Sequence, residues 1–319
     1  MSKLTLLDIA KLKGSRKEVG LIESVADAAP ELAQFPARTI KGTSYPTVDR
    51  HKLPTTGFRT ANTGIAPSKS EFKNRQVQCH IFSGAVNCDK AVADANEDGA
   101  ASYQAMEAAG VMRSAALTIG TQTYYGKAED DKGFDGLQAL WEAHNDDSGI
   151  GHNATGTTAD GATSVYAVKF GPEFLQFVYG GGQGLRLPPF KEQSVTDGNG
   201  GQYEAYVSNL GAWVGLQCVH PFAVGRIYNL TAQANKGLTD DVVADLLSKF
   251  PVGFTPDALL MNRQSRRQLQ KSRTVVLQGN GKAGSVGSQS GAAAPIPTES
   301  QGVNIITTDS LVNNEKIVS

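Results

Sequence analysis

Residues 43–82 place the hardest constraint on this chain, because they cannot fold alone. They read as two extended runs, TSYPTVDRHKLP and FKNRQVQCHIF, joined by turn chemistry at Thr60-Ala61-Asn62-Thr63-Gly64-Ile65-Ala66-Pro67. Few large apolar residues fall between Pro46 and Ser70. A two-stranded hairpin is marginal in water, since it orders backbone without burying enough apolar area to offset the lost entropy. Another surface must hold this arm, and a second copy of the chain is the expected source.

Charge points the same way. Residues 1–80 carry 13 Lys/Arg against 7 Asp/Glu, whereas residues 81–319 carry 17 against 24. A basic leading segment on an acidic body predicts an arm that reaches the acidic body of the next copy. A solvated basic face is the alternative. The whole chain has a net charge of -1, which argues against a protein that coats DNA through general basicity. With 319 residues, 40% hydrophobic and 19% charged, it is globular, and its length suggests two lobes. No apolar run approaches the ~18 residues of a membrane helix. The leading MSKLTLLDIAKLKG has no signal-peptide apolar region or cleavage site, and three cysteines cannot all pair.

Along the chain, residues 4–12 suit a short amphipathic helix. Residues 17–34 show helical spacing at Val19, Ile22, Val25 and Ala26, with Pro30 limiting the helix. Strong helix formers fill residues 99–123, with Asn96 or Asp98 as N-cap. Met106, Ala109, Met112, Ala116 and Leu117 fall on related faces. Small residues, including Gly110 and Gly120, would let this helix lie close against a sheet. Residues 127–163 read as a loop-rich connection.

Short strands are expected at 165–170, 174–179, 203–208, 212–219 and 223–229. Their close spacing predicts an antiparallel sheet. Thr239 caps a helix over 239–250 that Pro251 ends, with Asp240 and Asp241 suited to its positive start. A strand at 257–262, a basic helix at 263–273 and a last strand at 303–308 follow. Residues 279–302, with six Gly and four Ser, read as a flexible loop.

Site chemistry is sparse. Asp94-Ala-Asn96-Glu-Asp98-Gly99 matches the opening of a calcium loop, but Ala105 stands where the bidentate glutamate belongs. Gly180-Gly181-Gly182-Gln183-Gly184 lacks the Lys-Ser/Thr and the helix of a phosphate loop, so it reads as a turn between strands. Cys79, Cys88, Cys218 and the five histidines have no metal-ligand spacing. Cys79 and His80 are adjacent in a strand and face opposite ways, which makes a poor nucleophile–base pair.

The order of elements carries a resemblance. A helical arm precedes a long hairpin, a strand (QVQCHIFSGAVNCDKAVAD), a long helix, an acidic glycine-bearing loop, an antiparallel sheet and a helix–strand lobe. Phe35-Pro-Ala-Arg-Thr-Ile-Lys-Gly-Thr-Ser-Tyr45, Lys90-Ala-Val-Ala-Asp94, Tyr124-Tyr125-Gly126, Phe134-Asp-Gly-Leu137, and Gly215-Leu-Gln-Cys-Val-His running on to Gly225-Arg-Ile-Tyr-Asn229 sit in that order. Over essentially the whole chain this resembles the major capsid proteins of tailed bacteriophages, the Hong-Kong-97-type α+β capsid fold.

The resemblance implies an N-arm at 1–42 and an E-loop hairpin at 43–82. It implies a P-domain at 83–235 with its spine helix at 99–123, most of an A-domain at 236–302, and a C-terminal strand and tail at 303–319. It also implies pentamers and hexamers in an icosahedral virion shell, assembled in the host bacterial cytoplasm around double-stranded DNA. Partners would be a separate scaffolding protein, a portal and a decoration protein. No cofactor, catalytic residue or membrane is implied. Some relatives crosslink a hairpin lysine to a neighbour's asparagine, and Lys69 and Lys73 lie in this hairpin.

The expected intersubunit contacts are Arg50, Lys52, Arg59, Lys69 and Lys73 on the hairpin and Arg263, Arg266 and Arg267 on the basic helix. Two other readings compete: an encapsulin-like shell holding protein cargo, and an α+β enzyme with a site at the 180–184 turn.

Overall fold

A computed structural model describes residues 29–95, 99–196, 199–273, 275–276, 291–292 and 294–318. The expected helix at 4–12, most of that at 17–34 and most of the 279–302 loop lie outside the described residues; the helix that begins at Ala100 has Gly99 at its N-cap, not Asn96 or Asp98, and among the described residues no side chain caps it. Pro30–Gln34 (α1) forms a short helix with Pro30 in its first turn. Pro30 opens this helix, where the N–H it lacks would have no intrahelical partner in any case.

Ala37–Thr39 (β1) is followed by the hairpin strands Ser44–Lys52 (β2) and Glu71–Gln78 (β3), which pair antiparallel with each other. His80–Asp89 (β4) and the short helix Lys90–Asp94 (α2) lead to the spine helix, Ala100–Tyr125 (α3). Its buried side is Ala108, Met112, Ala115, Ala116, Ile119, Gly120, Thr123 and Tyr124. Met106 and Leu117, expected on the packing side, are exposed. Gly110 has open space where a Cβ would stand, whereas Gly120 meets Ser310 and Glu31. Close packing belongs to Gly120 alone of the two.

The loop-rich reading of 127–163 needs correction. Leu137–Ser148 (α4) is a helix, and Gly151–Asn153 (β5) is a strand. Leu137, Leu140, Trp141 and His144 recur at helical spacing, and Leu137, Trp141 and His144 are buried.

The remaining strands are Thr163–Val168 (β6), Leu175–Tyr179 (β7), Lys191–Thr196 (β8), Gln202–Cys218 (β9), Val224–Leu230 (β10), Ala258–Met261 (β11), Val275–Val276 (β12), Gly291–Ala292 (β13), Glu299–Ser300 (β14) and Val303–Thr307 (β15). Thr239 caps Asp240–Ser248 (α5) by accepting from the Val242 N–H, and Asn262 caps Arg263–Ser272 (α6) by accepting from the Ser265 N–H.

Two sheets replace the single antiparallel one. The first runs β1-β7-β9-β4, with β8 on β9; the second runs β14-β15-β11-β6-β10-β5. Three pairings are parallel: β1 with β7, β5 with β10, and β11 with β15. β6 and β7, either side of Gly171-Pro172, belong to different sheets. The two strands expected at 203–208 and 212–219 are one, because Leu210 is buried and Gly211 keeps its ladder place opposite Ser83. The second sheet takes strands from both sides of the expected 235/236 boundary. It is buried on both faces: Tyr166, Val168 and Leu260 face the core under the spine helix, while Val165, Ala167 and Leu259 face a second core with α5 and α6. Burial on both sides explains the unbroken apolar runs SVYAV and ALLM.

Candidate assembly surfaces

The hairpin is secured at its root. The Tyr45 hydroxyl donates to Gln217 Oε1, which also accepts from Gln176 Nε2 at 2.7 Å. Arg75 Nη2 lies 3.1 Å from His144 Nδ1, and His144 Nε2 lies 3.2 Å from the Cys218 carbonyl. A guanidinium only donates and a carbonyl only accepts, so this buried imidazole is neutral, accepting at Nδ1 and donating at Nε2. The spine-side helix α4 and strand β9 thus grip β3 through one histidine.

Beyond the ladder the grip ends. Residues 53–70 are held across the arm by the Thr55 N–H donating to Ser68 Oγ at 2.7 Å and by local turn bonds such as Arg59 Nη1 to the Thr63 carbonyl at 3.1 Å. Leu53, Phe58 and Ile65 are exposed here, as are Val48 and Phe72 on the strands. Five apolar side chains on one solvated arm are far more surface than the hairpin covers by itself.

The basic residues fall into two sets. Arg50 stacks over Phe72 at 5.4 Å, and Lys52 pairs with Glu71 at 3.3 Å. Arg59 and Lys69 sit in the arm's loop, and Lys73 is exposed on β3. On α6, Arg263 pairs with Asp309, Arg266 is half-buried and Arg267 is exposed. Hairpin and α6 are separate elements, with α6 packed on the second core through Leu269.

One surface the residue pattern did not reveal is an open groove of about 520 Å³ lined by Gln78, His80, Ile81, Lys132 and Trp213, at the hairpin root. Ile81 and Trp213 are exposed in it. Alternation along β4 and β9 marks them as one face of a sheet, but which face remains open depends on where the spine helix lies.

The 180–184 turn is already committed. The N–H groups of Gly180, Gly181 and Gly182 donate to the carbonyls of Trp213, Gly42 and Ile40 at 2.9, 3.1 and 2.8 Å. No amide of these three is left to cradle a phosphate. Burial pushes the Cys218 thiol up to about 12 and raises Cys79 and Cys88 as well, which keeps all three as unreactive thiols. Among the described residues no group of His, Cys, Asp and Glu is arranged to hold a metal ion.

Comparison with known proteins agrees with this architecture. The family model described as Major capsid protein GP7 matches residues 16–319. A chain of the bacteriophage Epsilon15 structure superposes with a TM-score of 0.61 at 18% identity, covering 99% of this chain and 97% of that one. A chain of the bacteriophage JBD30 capsid gives 0.53 at 12% identity, covering 97% of this chain and 99% of that one. At these identities the likeness is one of fold. No curated protein sequence matches the chain.

Proposed function

The chain belongs to the major capsid protein GP7 family, and from that premise we propose that its copies meet by laying the hairpin of residues 43–82 across a neighbouring subunit. It is a structural capsid subunit of a bacteriophage with the Hong-Kong-97-type fold, and its place is the virion shell. The observation that carries the contact proposal is the arm itself, gripped at Tyr45 and Arg75 and bare at Leu53, Phe58 and Ile65. A receiving surface for the apolar side chains is the groove at Ile81 and Trp213, whose lining includes Lys132; Glu129, Asp130 and Asp131 precede that lysine in the sequence. Apolar contact would supply most of the affinity. Arg50, Lys52, Arg59, Lys69 and Lys73 would supply orientation and register, with Arg263, Arg266 and Arg267 meeting a different neighbour.

In this reading residues 1–42 form the N-arm and 83–235 the P-domain. Residues 236–302 form most of the A-domain, and 303–319 a closing strand and tail. Repeated heterologous contacts close into pentamers and hexamers of an icosahedral head around double-stranded DNA. Scaffolding, portal and decoration proteins are its proposed partners, and the bacterial cytoplasm is its proposed assembly site. Among the described residues no helix is long and apolar enough to cross a membrane.

Electron micrographs of the purified assembly test this. Closed isometric particles with five- and six-fold capsomers are expected, and open filaments or dispersed subunits would overturn it. Double-stranded DNA inside virions is expected, and protein cargo in its place would favour a compartment shell.

A further inference from the structure

Helix α1 sits where the spine helix and the C-terminal tail converge, and it brings a carboxyl group into that junction. Glu31 has no exposed surface. Its Oε1 accepts from Ser310 Oγ at 2.6 Å, while Oε2 has no hydrogen-bond partner among the described residues. Gly120 makes the room, since a Cβ there would lie 2.6 Å from Glu31 Oε1.

The groups facing Glu31 are mostly neutral. From the spine helix comes Tyr124, fully buried and with its hydroxyl near Thr308 but outside hydrogen-bond geometry with any described residue, and behind it from β6 comes Tyr166, ring centroids 5.9 Å apart. From the tail come Thr308, Ser310 and Asp309. Asp309 opposes a second negative charge and is itself paired with Arg263. An ionised carboxylate with a bare oxygen here would lose most of its solvation, with no cation among the described residues to replace it.

We propose that Glu31 is a proton-operated latch: protonated, it keeps α1 seated on the spine helix and tail, and ionised, it lets α1 lift away. Phe35 is the fixed end of the movement, packed on Phe170 and Phe177 at 5.1 and 5.4 Å. Lifting five residues is the smallest opening that returns the carboxylate to water. Burial raises the Glu31 carboxyl above its usual value, with Asp309 adding to the rise; the Ser310 hydroxyl, its own backbone N–H and the Thr308 hydroxyl offset only part of it. The closed form therefore binds the proton more tightly than the open form. Closure is complete below the ordinary glutamate value and weakens as pH rises through the raised one.

Hydrogen exchange of the full chain between pH 5 and 8.5, corrected for intrinsic rates, tests the latch. The amides of Leu32 and Phe35, which donate to Ala29 and Glu31 carbonyls, report it. Their protection should fall about tenfold per pH unit wherever the closed carboxyl still holds its proton, while β6 and β11 stay protected. In Glu31→Gln, which keeps the shape without the charge, the same amides should stay protected at every pH. Wild-type protection that ignores pH would overturn the latch, as would a Glu31→Gln profile that follows the wild type.

Discussion

Arg226 Nη2 lies 3.2 Å from Glu315 Oε2, joining β10 to the C-terminal tail across 89 residues of chain in a site almost closed to water. Ser164 Oγ accepts from Arg226 Nε at 3.0 Å and donates to Glu315 Oε2 at 2.5 Å. The Tyr125 hydroxyl at the end of the spine helix donates to Glu315 Oε1 at 2.8 Å. Trp141, Tyr166 and Tyr228 surround the guanidinium at 5.3 to 5.9 Å. One ion pair thus ties the tail to the spine helix and to the middle of the second sheet.

Breaking that pair from one side should be costly. Glu315→Ala leaves the buried guanidinium only the half-exposed Glu142 carboxylate, 3.8 Å from Nη1, as counter-charge, and should cost about 3 kcal/mol. Replacing both partners, Arg226→Met with Glu315→Leu, should recover much of the loss. Urea unfolding of the unassembled subunit measures both, and equal losses in the single and double variants would contradict the pairing.

Gly120 and Gly110 should answer differently to the same substitution. A methyl at Gly120 meets Ser310 and Glu31, so Gly120→Ala should destabilise by about 1–3 kcal/mol. Gly110→Ala meets nothing and should stabilise by roughly 0.5–1 kcal/mol through helix propensity. Thermal unfolding of the two variants side by side gives the signs.

Acid should loosen the second lobe through Asp240. Its two carboxylate oxygens accept from Arg273 Nε and Nη2, each at 2.6 Å, and Ser300 Oγ donates to one of them. Arg273 holds this carboxyl below its usual value, with Ser300 helping against the cost of burial. A lowered folded value means stability that is present above the ordinary aspartate value and lost as pH falls through the folded one. Asp240→Asn should be less stable than wild type at pH 7 and should flatten the acid limb of the stability curve below about pH 4.

Removing the bare part of the arm should separate folding from assembly. Deletion of residues 56–68 leaves Tyr45–Gln217 and Arg75–His144 in place, so the subunit should keep its circular dichroism and unfolding midpoint. Sedimentation should show capsomers or smaller species in place of shells. Normal shells from this deletion would mean that the arm is not the principal contact.

Salt should act on assembly rate more than on finished shells. Exposed ion pairs contribute about 0–1 kcal/mol each, and their reach shrinks from ~10 Å at 0.1 M salt to ~3 Å at 1 M. Light scattering should show assembly slowing as salt rises, while assembled shells persist on their apolar contacts. A rate independent of salt would place the hairpin's basic residues in solvent rather than against a neighbour.

Local signals account for a good part of this architecture. Thr239, Asp240 and Asp241 before an amphipathic run, with Pro251 after it, mark α5 at its start and stop, because caps and breakers act within one helical turn. The hairpin is legible for the opposite reason, a long extended stretch with nothing to bury. Helix α4 is legible too, in the spacing of Leu137, Leu140, Trp141 and His144, once polar neighbours are set aside. The basic hairpin residues can be found from charge alone, but a charge does not say which surface it faces.

Turns, the start and stop of α5 and the segments that lack a core can be read from side chains a few residues apart. That β6 and β7 part into different sheets comes from the folded chain alone, because an apolar run records burial and not the identity of its hydrogen-bonding partner. The same holds for Gly110 and Gly120, alike in composition and opposite in packing, and for Arg226. A lone arginine in the buried strand VGRIYNL announces that it needs a counter-charge. That its buried counter-charge is Glu315, with the half-exposed Glu142 farther off at 3.8 Å, is settled by the path of the tail, which brings a distant carboxylate within 3.2 Å in the folded chain.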